Sequence, residues 1–581
     1  MLDDLKAACR SFKSSWTFTA VALIVLTLGI GASTAIFSVV DAVVLRGLPF
    51  DEHDRLVAVG ERRPVGPIDA GRDPQALSSA SPQNYMDWAA QQKVFESMAA
   101  IAGGAVTLRE PGAEPEDLRS QRVTADFFKV LRAQPAIGHA FTAEEEVDGR
   151  HRVAVLSDGL WRRRFGGDPA IVGRTIPLEG GSYEVAGVMP PDFAYPVGAV
   201  RPTDLWVPYV VPADERIRHP ENVSIYLQSV ARLKPGTSVE KAQAQMDQIA
   251  AALEQSHPQW NKDNKVGVRP LRDHLVGART KSWMLMLLGA VAIVLLIACA
   301  NVANLLLARA SAREREVGIR AALGAGRWRL IRQLMVESLV LSVAGTVLSI
   351  ILAWWAVQVL KASMPEGVPR ITEIALDLRV LTAAAGLSLL TGLLFGIVPA
   401  LQLSKPDLTN ALKEGARGSV GAGRQRLRSA LVVAEVALAV VLLVGAALFI
   451  GSFITLMRID SGFNPEGVLT VQVSPRFEPG KPPGDSSPAF IDIVERISQA
   501  PGVIHASMIS GGMPLGGSMS VTTLTVPGKK IEGDQGVSIR RVTPEYHKAL
   551  RIPLKDGRLF EATDRKDGPN VVLLNESAAR K

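Results

Sequence analysis

Apolar and polar positions are spread unevenly along the 581 residues. Five stretches are almost continuously apolar: about Phe18 to Leu45, Trp283 to Leu307, Leu334 to Leu360, Val380 to Leu401 and Leu431 to Met457. Each approaches the roughly 20 apolar residues needed to cross a bilayer. A single such run could be a buried core helix; five in one chain read as membrane spans. The first exceeds the roughly 7–15-residue apolar region of a cleaved signal peptide, and no small-residue cleavage site follows it, so it reads as a retained span. At 1.5 Å per residue it would measure about 42 Å against a hydrocarbon core of about 30 Å. It either tilts or projects its end near Asp41 beyond the membrane.

Between the spans the pattern changes. Residues 46–280 read as a folded α+β domain. Short β-like runs, Arg152–Leu156 and Tyr183–Val188, are bounded by Gly and Pro. Thr237 and Glu240 read as a capping box that opens a helix, and His257-Pro258 ends it. Its apolar stripe, Val239, Ala242, Met246, Ile249 and Leu253, has helical spacing and reads as core packing.

Charge sets the orientation. Lys6, Arg10 and Lys13 precede the first span; Arg309, Arg313, Arg315, Arg320, Arg327, Arg329 and Arg332 separate the second from the third. Lys405, Lys413, Arg417, Arg424, Arg426 and Arg428 separate the fourth from the fifth, whereas the loop between third and fourth carries fewer, Lys361 and Arg370 with Arg379 at its end. Alternating spans put all three basic segments on one side, the cytoplasmic one by the positive-inside rule. The N-terminus is then cytoplasmic, and 46–280 and 458–581 lie outside.

The chain also repeats itself. VTADFFKVLRAQPAIGHAF (Val123 to Phe141) matches VTPEYHKALRIPLKDGRLF (Val542 to Phe560) without a gap, and RVAVLSD aligns with NVVLLNE after a one-residue slip. Each copy follows a span and its outward segment, so the fifth span restarts the unit begun by the first. The first unit continues with three more spans; the expectation is that three further spans belong to the second and that this chain is a fragment of a longer one.

Composition adds little. Hydrophobic residues make up 47% and the net charge is +7, with mean hydropathy +0.18 and pI near 9.3. Nucleic-acid binding is not the reading, because the arginines gather beside the apolar runs. Cys9 and Cys299 lie at the chain start and inside a span, so no disulfide framework is expected. There is no G-x-x-x-x-G-K-[ST], H-E-x-x-H, G-x-S-x-G or paired C-x-x-C, and the histidines lack metal-ligand spacing. No catalytic residue, metal or cofactor is assigned. Ile509-Ser510-Gly511-Gly512-Met513, which superficially resembles an ABC signature loop, reads as a flexible loop.

REREVGIRAALGAGRWRLIRQLMVESLVLS (Arg313 to Ser342) resembles the motif R-E-x-G-I-R-x-A-L-G-A of FtsX-type permeases, matched by Arg315, Glu316, Gly318, Ile319, Arg320, Ala322, Leu323, Gly324 and Ala325. Thr17 to Phe50, Ser81 to Ala100 and Leu394 to Gly418 resemble the duplicated MacB-like permeases described from acidobacteria. The resemblance covers nearly the whole chain. It implies a multi-pass α-helical membrane protein with α+β extracytoplasmic domains of the MacB periplasmic core type. The expected layout is 1–17 cytoplasmic, 18–45 first transmembrane helix, 46–280 outer core domain and 283–402 FtsX-like permease unit (helices at about 283–307, 334–360 and 380–401). A cytoplasmic linker 403–430, a fifth helix 431–457 and a second, incomplete outer core domain 458–581 follow.

The resemblance further implies an ATPase-coupling role for the second-to-third-span loop, with Arg315, Glu316, Val317, Gly318, Ile319, Arg320, Leu323 and Gly324 in contact with a separate ABC ATPase chain. Ala310–Leu323 would form a short helix there, and Gly324 and Gly326 a turn. The alternative reading is that these arginines fix topology and bind anionic lipid. Gly392 and Gly396 form a G-x-x-x-G helix contact. Glu337 and Glu435, near the cytoplasmic starts of the third and fifth spans, either pair with loop arginines at a hinge or snorkel to the interface. Expected partners are the ATPase, the lipid bilayer and a periplasmic adaptor, with no nucleic acid, and with pairing either as a pseudo-dimer within a full-length chain or as a homodimer. The implied function is the permease subunit of an export system in a bacterial inner (plasma) membrane; the alternative is an FtsX-like signalling or scaffold protein acting on a periplasmic partner. A secondary transporter is disfavoured, because no ionisable or broken-helix site lies at mid-span.

Overall fold

The computed structural model describes residues 10, 12–13, 15–62, 76–110, 112, 114–199, 201–218, 224–312, 327–363, 370–403, 422–471, 473, 487–512, 520–523, 536–561, 563–564, 568 and 571–580. The chain divides into two units: Met1–Asp54, Ala194–Pro202 and Pro270–Phe453 form one, and Arg55–Phe193, Thr203–Arg269 and Ile454–Lys581 the other.

The first unit is built from long helices, Trp16–Val40, Ala278–Ala312, Arg327–Ser363, Leu378–Leu403 and Ala422–Met457, taken below as first to fifth. Among the described residues, four apolar stretches are long enough to cross a bilayer: Trp16–Leu45, Ala278–Leu306, Met335–Ser363 and Ser429–Met457. The fourth helix has 26 residues, about 39 Å at 1.5 Å per residue, and its described apolar stretch is Leu378–Leu393. The second, third and fifth helices run a turn or more beyond the apolar runs at one end at least, since helical hydrogen bonding does not stop where hydropathy falls.

The first helix is the hub. Ala22, Leu26 and Ile30 are buried with Leu295 and Val302 of the second helix and Leu341 of the third. Nearer its C-terminal end, Ala35, Val39 and Val40 are buried with Ala353 and Val357 of the third. The helix ends in a π-helical turn, Asp41–Leu45, in which Asp41, Ala42, Val43 and Val44 are buried. The end near Asp41 is packed against neighbours. Within the fifth helix, the described apolar stretch buries none of its residues.

The second unit contains a ten-stranded sheet. Its strands are β1 (Leu56–Arg62), β2 (Phe95–Leu108), β3 (Glu116–Val123), β4 (Ile137–Gly138), β5 (Val153–Leu156), β6 (Thr175–Leu178), β7 (Gly181–Val188), β8 (Leu205–Pro208), β9 (Gln228–Leu233) and β10 (Lys265–Pro270). They run in the order β10-β1-β9-β2-β3-β8-β5-β7-β4, with β6 joining β2 and β7. Most neighbours are antiparallel; β3 with β8 and β5 with β7 are parallel. The expected runs at 152–156 and 183–188 are β5 and most of β7. One core holds Val57, Trp88, Phe95 and Met98 with Met246, Ile249 and Leu253. The last three lie on helix Val239–Ser256, whose stripe is buried as read, with Val239 partly so. Its cap is Ser238, not Thr237: the Ser238 hydroxyl accepts from the Lys241 amide at 3.2 Å, and His257 closes the other end.

The repeat recurs in matching local contacts. Ile101 pairs antiparallel with Val123 in β2 and β3, and Ile509 pairs antiparallel with Val542. Thr124 donates its amide to the Ala100 carbonyl at 3.2 Å and its hydroxyl accepts the Ala100 amide at 3.0 Å; Thr543 does the same with Met508 at 3.0 and 2.9 Å. Helices Asp126–Leu131 and Tyr546–Ala549 follow. Phe128 contacts Phe141 with ring centroids 5.7 Å apart, and His547 contacts Phe560 at 5.9 Å. Ile509-Ser510-Gly511-Gly512, read as a flexible loop, corresponds in position to Ile101-Ala102-Gly103-Gly104; Ile509 pairs with Val542, and Ser510 to Gly512 form a turn. The copies differ in cover. After Phe50, Leu56 and Ala58 are 1% and 3% exposed on β1, whereas Leu469 and Val471, equally spaced after Phe463, are 88% and 70% exposed.

Candidate functional site

Small residues let the long helices approach. A methyl group on Gly29 would stand 2.9 Å from the Ala298 Cβ, and one on Gly345 would stand 3.0 Å from the Leu26 Cβ. At Gly31 it would lie 3.0 Å from Leu352 and 3.2 Å from the Ser349 carbonyl. Such close approach is the usual means by which spans associate where lipid offers no hydrophobic drive. Several hydroxyls inside the bundle bond locally: Ser33, Thr34 and Thr346 donate to carbonyls one turn back at 2.7–2.8 Å. Ser388 of the fourth helix donates across to the Ser342 carbonyl of the third at 3.2 Å.

Gly392 is part of that contact, since a methyl there would meet the Ser342 Oγ at 2.9 Å. Gly396 lies on the same helix, its surroundings outside the described residues. Glu337 is buried on the third helix, and Glu435 is partly exposed on the fifth. Arg315, Glu316, Val317, Gly318, Ile319, Arg320, Leu323 and Gly324 all lie outside the described residues, as does most of the short helix expected at Ala310–Leu323.

Sequence reading missed a polar knot at the end of the first helix. The Arg370 side chain is buried, so its charge needs partners. It donates from Nη1 to the Arg46 carbonyl at 2.6 Å, from Nη2 to the Gly47 carbonyl at 3.0 Å, and from Nη2 to the Glu373 carboxylate at 2.6 Å. Arg46 in turn donates to Asp41 at 3.0 Å and to Asp377 at 2.5 Å. Asp377 also caps the fourth helix, its Oδ1 accepting from the Val380 amide at 3.0 Å. The π turn supplies the geometry: the Arg46 amide bonds the Asp41 carbonyl at 2.7 Å, and π turns occur frequently at functional sites. Arg370 had been counted only as a loop charge, and Asp41 only as the end of a long span. The available signal was an acid and a base five positions apart at a span end, with a second acid, Asp377, opening another span.

The arrangement has no catalytic constellation. Among the described residues no group of His, Cys, Asp or Glu could hold a metal ion. What it offers is mechanical: helices packed through small residues and tied at one end by partly buried ion pairs around the buried Arg370.

Known proteins place this architecture. The MacB-like periplasmic core domain matches residues 19–249 and again 429–581, and the FtsX-like permease C-terminal domain matches 288–408. The double match falls on the structural repeat. The macrolide export ATP-binding/permease protein MacB of Marinobacter nauticus is 25% identical over 71% of this chain and 60% of its own length. The pyoverdine export ATP-binding/permease protein PvdT of Pseudomonas aeruginosa is 28% identical over 49% of this chain and 41% of its own. The chain thus spans less than two thirds of these relatives. Among solved structures, the periplasmic region of MacB from Actinobacillus actinomycetemcomitans has TM-score 0.27 and 14% identity, covering 36% of this chain and 87% of that one. The extracellular domain of the ABC-type transporter YknZ has TM-score 0.27 and 15% identity over 37% of this chain and 99% of that domain. With the periplasmic core model matched on both sides of an FtsX-like segment and long apolar helices between, the chain belongs to the MacB/FtsX-type ABC transporter permeases of the bacterial inner membrane.

Proposed function

We propose that this chain is the permease part of an ABC export system, in which ATP hydrolysis on a separate ATPase chain moves periplasmic core domains. The order of elements carries the reading: a long helix, a core domain, three long helices carrying the FtsX-like match, then a second long helix and core match. Two relatives named for export support the direction. The N-terminus is cytoplasmic, because that orientation puts the arginine-rich segments at 309–332 and 405–428 inside. The loop Arg315–Gly324 then meets the ATPase, with Val317, Ile319 and Leu323 packing into it while the arginines face lipid headgroups.

The knot fits the same mechanism. An element that moves outer domains needs stiff joints at the outer ends of its spans, and Arg46, Arg370 and Asp377 form one. Co-purification tests the proposal. The wild-type chain should retain an ABC ATPase, and substitution of Gly318 by Leu together with Arg320→Glu should release it. An ATPase still retained after deletion of 313–324 would contradict the proposed docking loop.

A further inference from the structure

Residues Ala194–Pro202 belong to the helical unit, although Phe193 and Thr203, on either side, belong to the other. Within this excursion Tyr195 and Val197 are buried. Gly198 adopts φ 69°, open chiefly to glycine. It sits so close to Arg370 that a Cβ on Gly198 would fall 2.3 Å from the Arg370 Cα and 2.8 Å from its Cβ. Arg370 is itself in the left-handed conformation, φ 60°, so its backbone has little room to give way.

We infer that Arg370 is a latch joining the Ala194–Pro202 excursion to the ends of the first and fourth long helices. The links run through two residues, Arg370 and Arg46. Gly198 lies against the Arg370 backbone with no room between them for a side chain. The Arg370 guanidinium holds the Arg46 and Gly47 carbonyls, at the end of the first helix. Arg46 holds Asp377, the cap of the fourth. A displacement of the excursion must therefore move Arg370, and Arg370 cannot move without breaking buried charge-assisted hydrogen bonds. The peptide chain continues from the excursion at both ends into residues of the sheet-bearing unit. Coupling of this kind is reciprocal in sign: a change at Asp377 loosens the excursion if a change at Gly198 loosens the helix ends.

Hydrogen exchange on the full chain in lipid nanodiscs tests the latch, and it reads the latch whether or not an ATPase is bound. Gly198→Val should speed exchange about tenfold or more at the Arg46, Val380 and Leu381 amides. Asp377→Asn, nearly the same size but without charge, should speed exchange at the Ala199 amide, which bonds the Pro196 carbonyl. Exchange across helix Pro82–Gln91, far along the chain in the other unit, should stay at the wild-type rate in both variants and reports that the protein remains folded. If Gly198→Val does not fold, Asp377→Asn alone decides, since it leaves the excursion untouched. Faster exchange confined to each variant's own segment would overturn the latch.

Discussion

Arg132 and Arg551 adopt the same left-handed backbone conformation, φ 53° in each, at the end of the short helix that each repeat copy forms. Their amides bond the carbonyls of Lys129 and Lys548, both at 3.1 Å. Six residues on, Gly138 and Gly557 match again with φ 78° and 81°. A long side chain in that region costs about 1–2 kcal/mol, and two copies keeping it at one position argue for a common template, not chance similarity.

This gives a graded substitution series at 551. Arg551→Gly should leave protection of the Ile552 amide, bonded to the His547 carbonyl at 2.8 Å, equal or improved. Arg551→Val should reduce it by about 1–2 kcal/mol of local opening free energy, because a β-branched residue fits the left-handed region worst. Equal exchange for both variants would count against the assigned conformation.

His547 stands where the first copy has Phe128. Burial holds its pKa below the usual histidine value, and its Nδ1 is buried without a hydrogen-bond partner. The unfolded histidine titrates near about 6.5 and the folded one lower. The unfolded state then binds more protons in that interval, so stability is present above about pH 6.5 and lost as pH falls toward the folded value. Local exchange around Tyr546–Leu550, corrected for intrinsic amide rates, should rise on acidification through this window. His547→Phe should remove the acid dependence and stabilise the segment by about 1 kcal/mol; an unchanged pH profile would refute the assignment.

The glycines of the first and fifth helices should behave oppositely. Gly29→Leu and Gly31→Leu place side chains against Ala298 and Leu352 and should lower the melting temperature of the full chain, at a cost of about 1–3 kcal/mol each. Gly445→Leu and Gly445→Ala, where an added Cβ would meet nothing within 4 Å, should leave it unchanged. A melting scan of the four variants in one lipid composition checks both halves.

The two repeat copies should also differ in protection. Leu56 and Ala58 lie on β1 between β9 and β10, whereas Leu469 and Val471 are exposed. Backbone amides at 468–471 should exchange at least about a hundredfold faster than those at 56–59, since few buried contacts and no ladder hold them. Comparable rates would mean that this part of the second copy is covered in the protein as it exists.

Much of this architecture could be read from residue patterns, because long-range information was not needed to see it. A bilayer-length apolar run is a local signal, and so is the stripe Ala242, Met246, Ile249, Leu253. The repeat was legible because it preserves side chains at matching positions, from Val123/Val542 to Phe141/Phe560. Boundaries were less so. Ser238 rather than Thr237 caps its helix because the choice between adjacent hydroxyls depends on backbone angles that propensity does not set. The polar knot was illegible for another reason: Arg46 and Asp377 are 331 positions apart, and only the packing of the first helix against its neighbours brings them together. Asp41, Arg370 and Glu373 each look like ordinary flanking charges until burial makes pairing compulsory.

The central claim is that the arginine-rich loops face the cytoplasm while the sheet-bearing domain faces outward. Single cysteines at Gly318, Glu144 and Asp148, in a chain with Cys9 and Cys299 replaced, test it with a membrane-impermeant maleimide applied to intact spheroplasts. Cysteines at 144 and 148 should label at once, and cysteine at 318 only after permeabilisation. Labelling at 318 in intact spheroplasts, with 144 and 148 protected, would invert the topology and contradict the account.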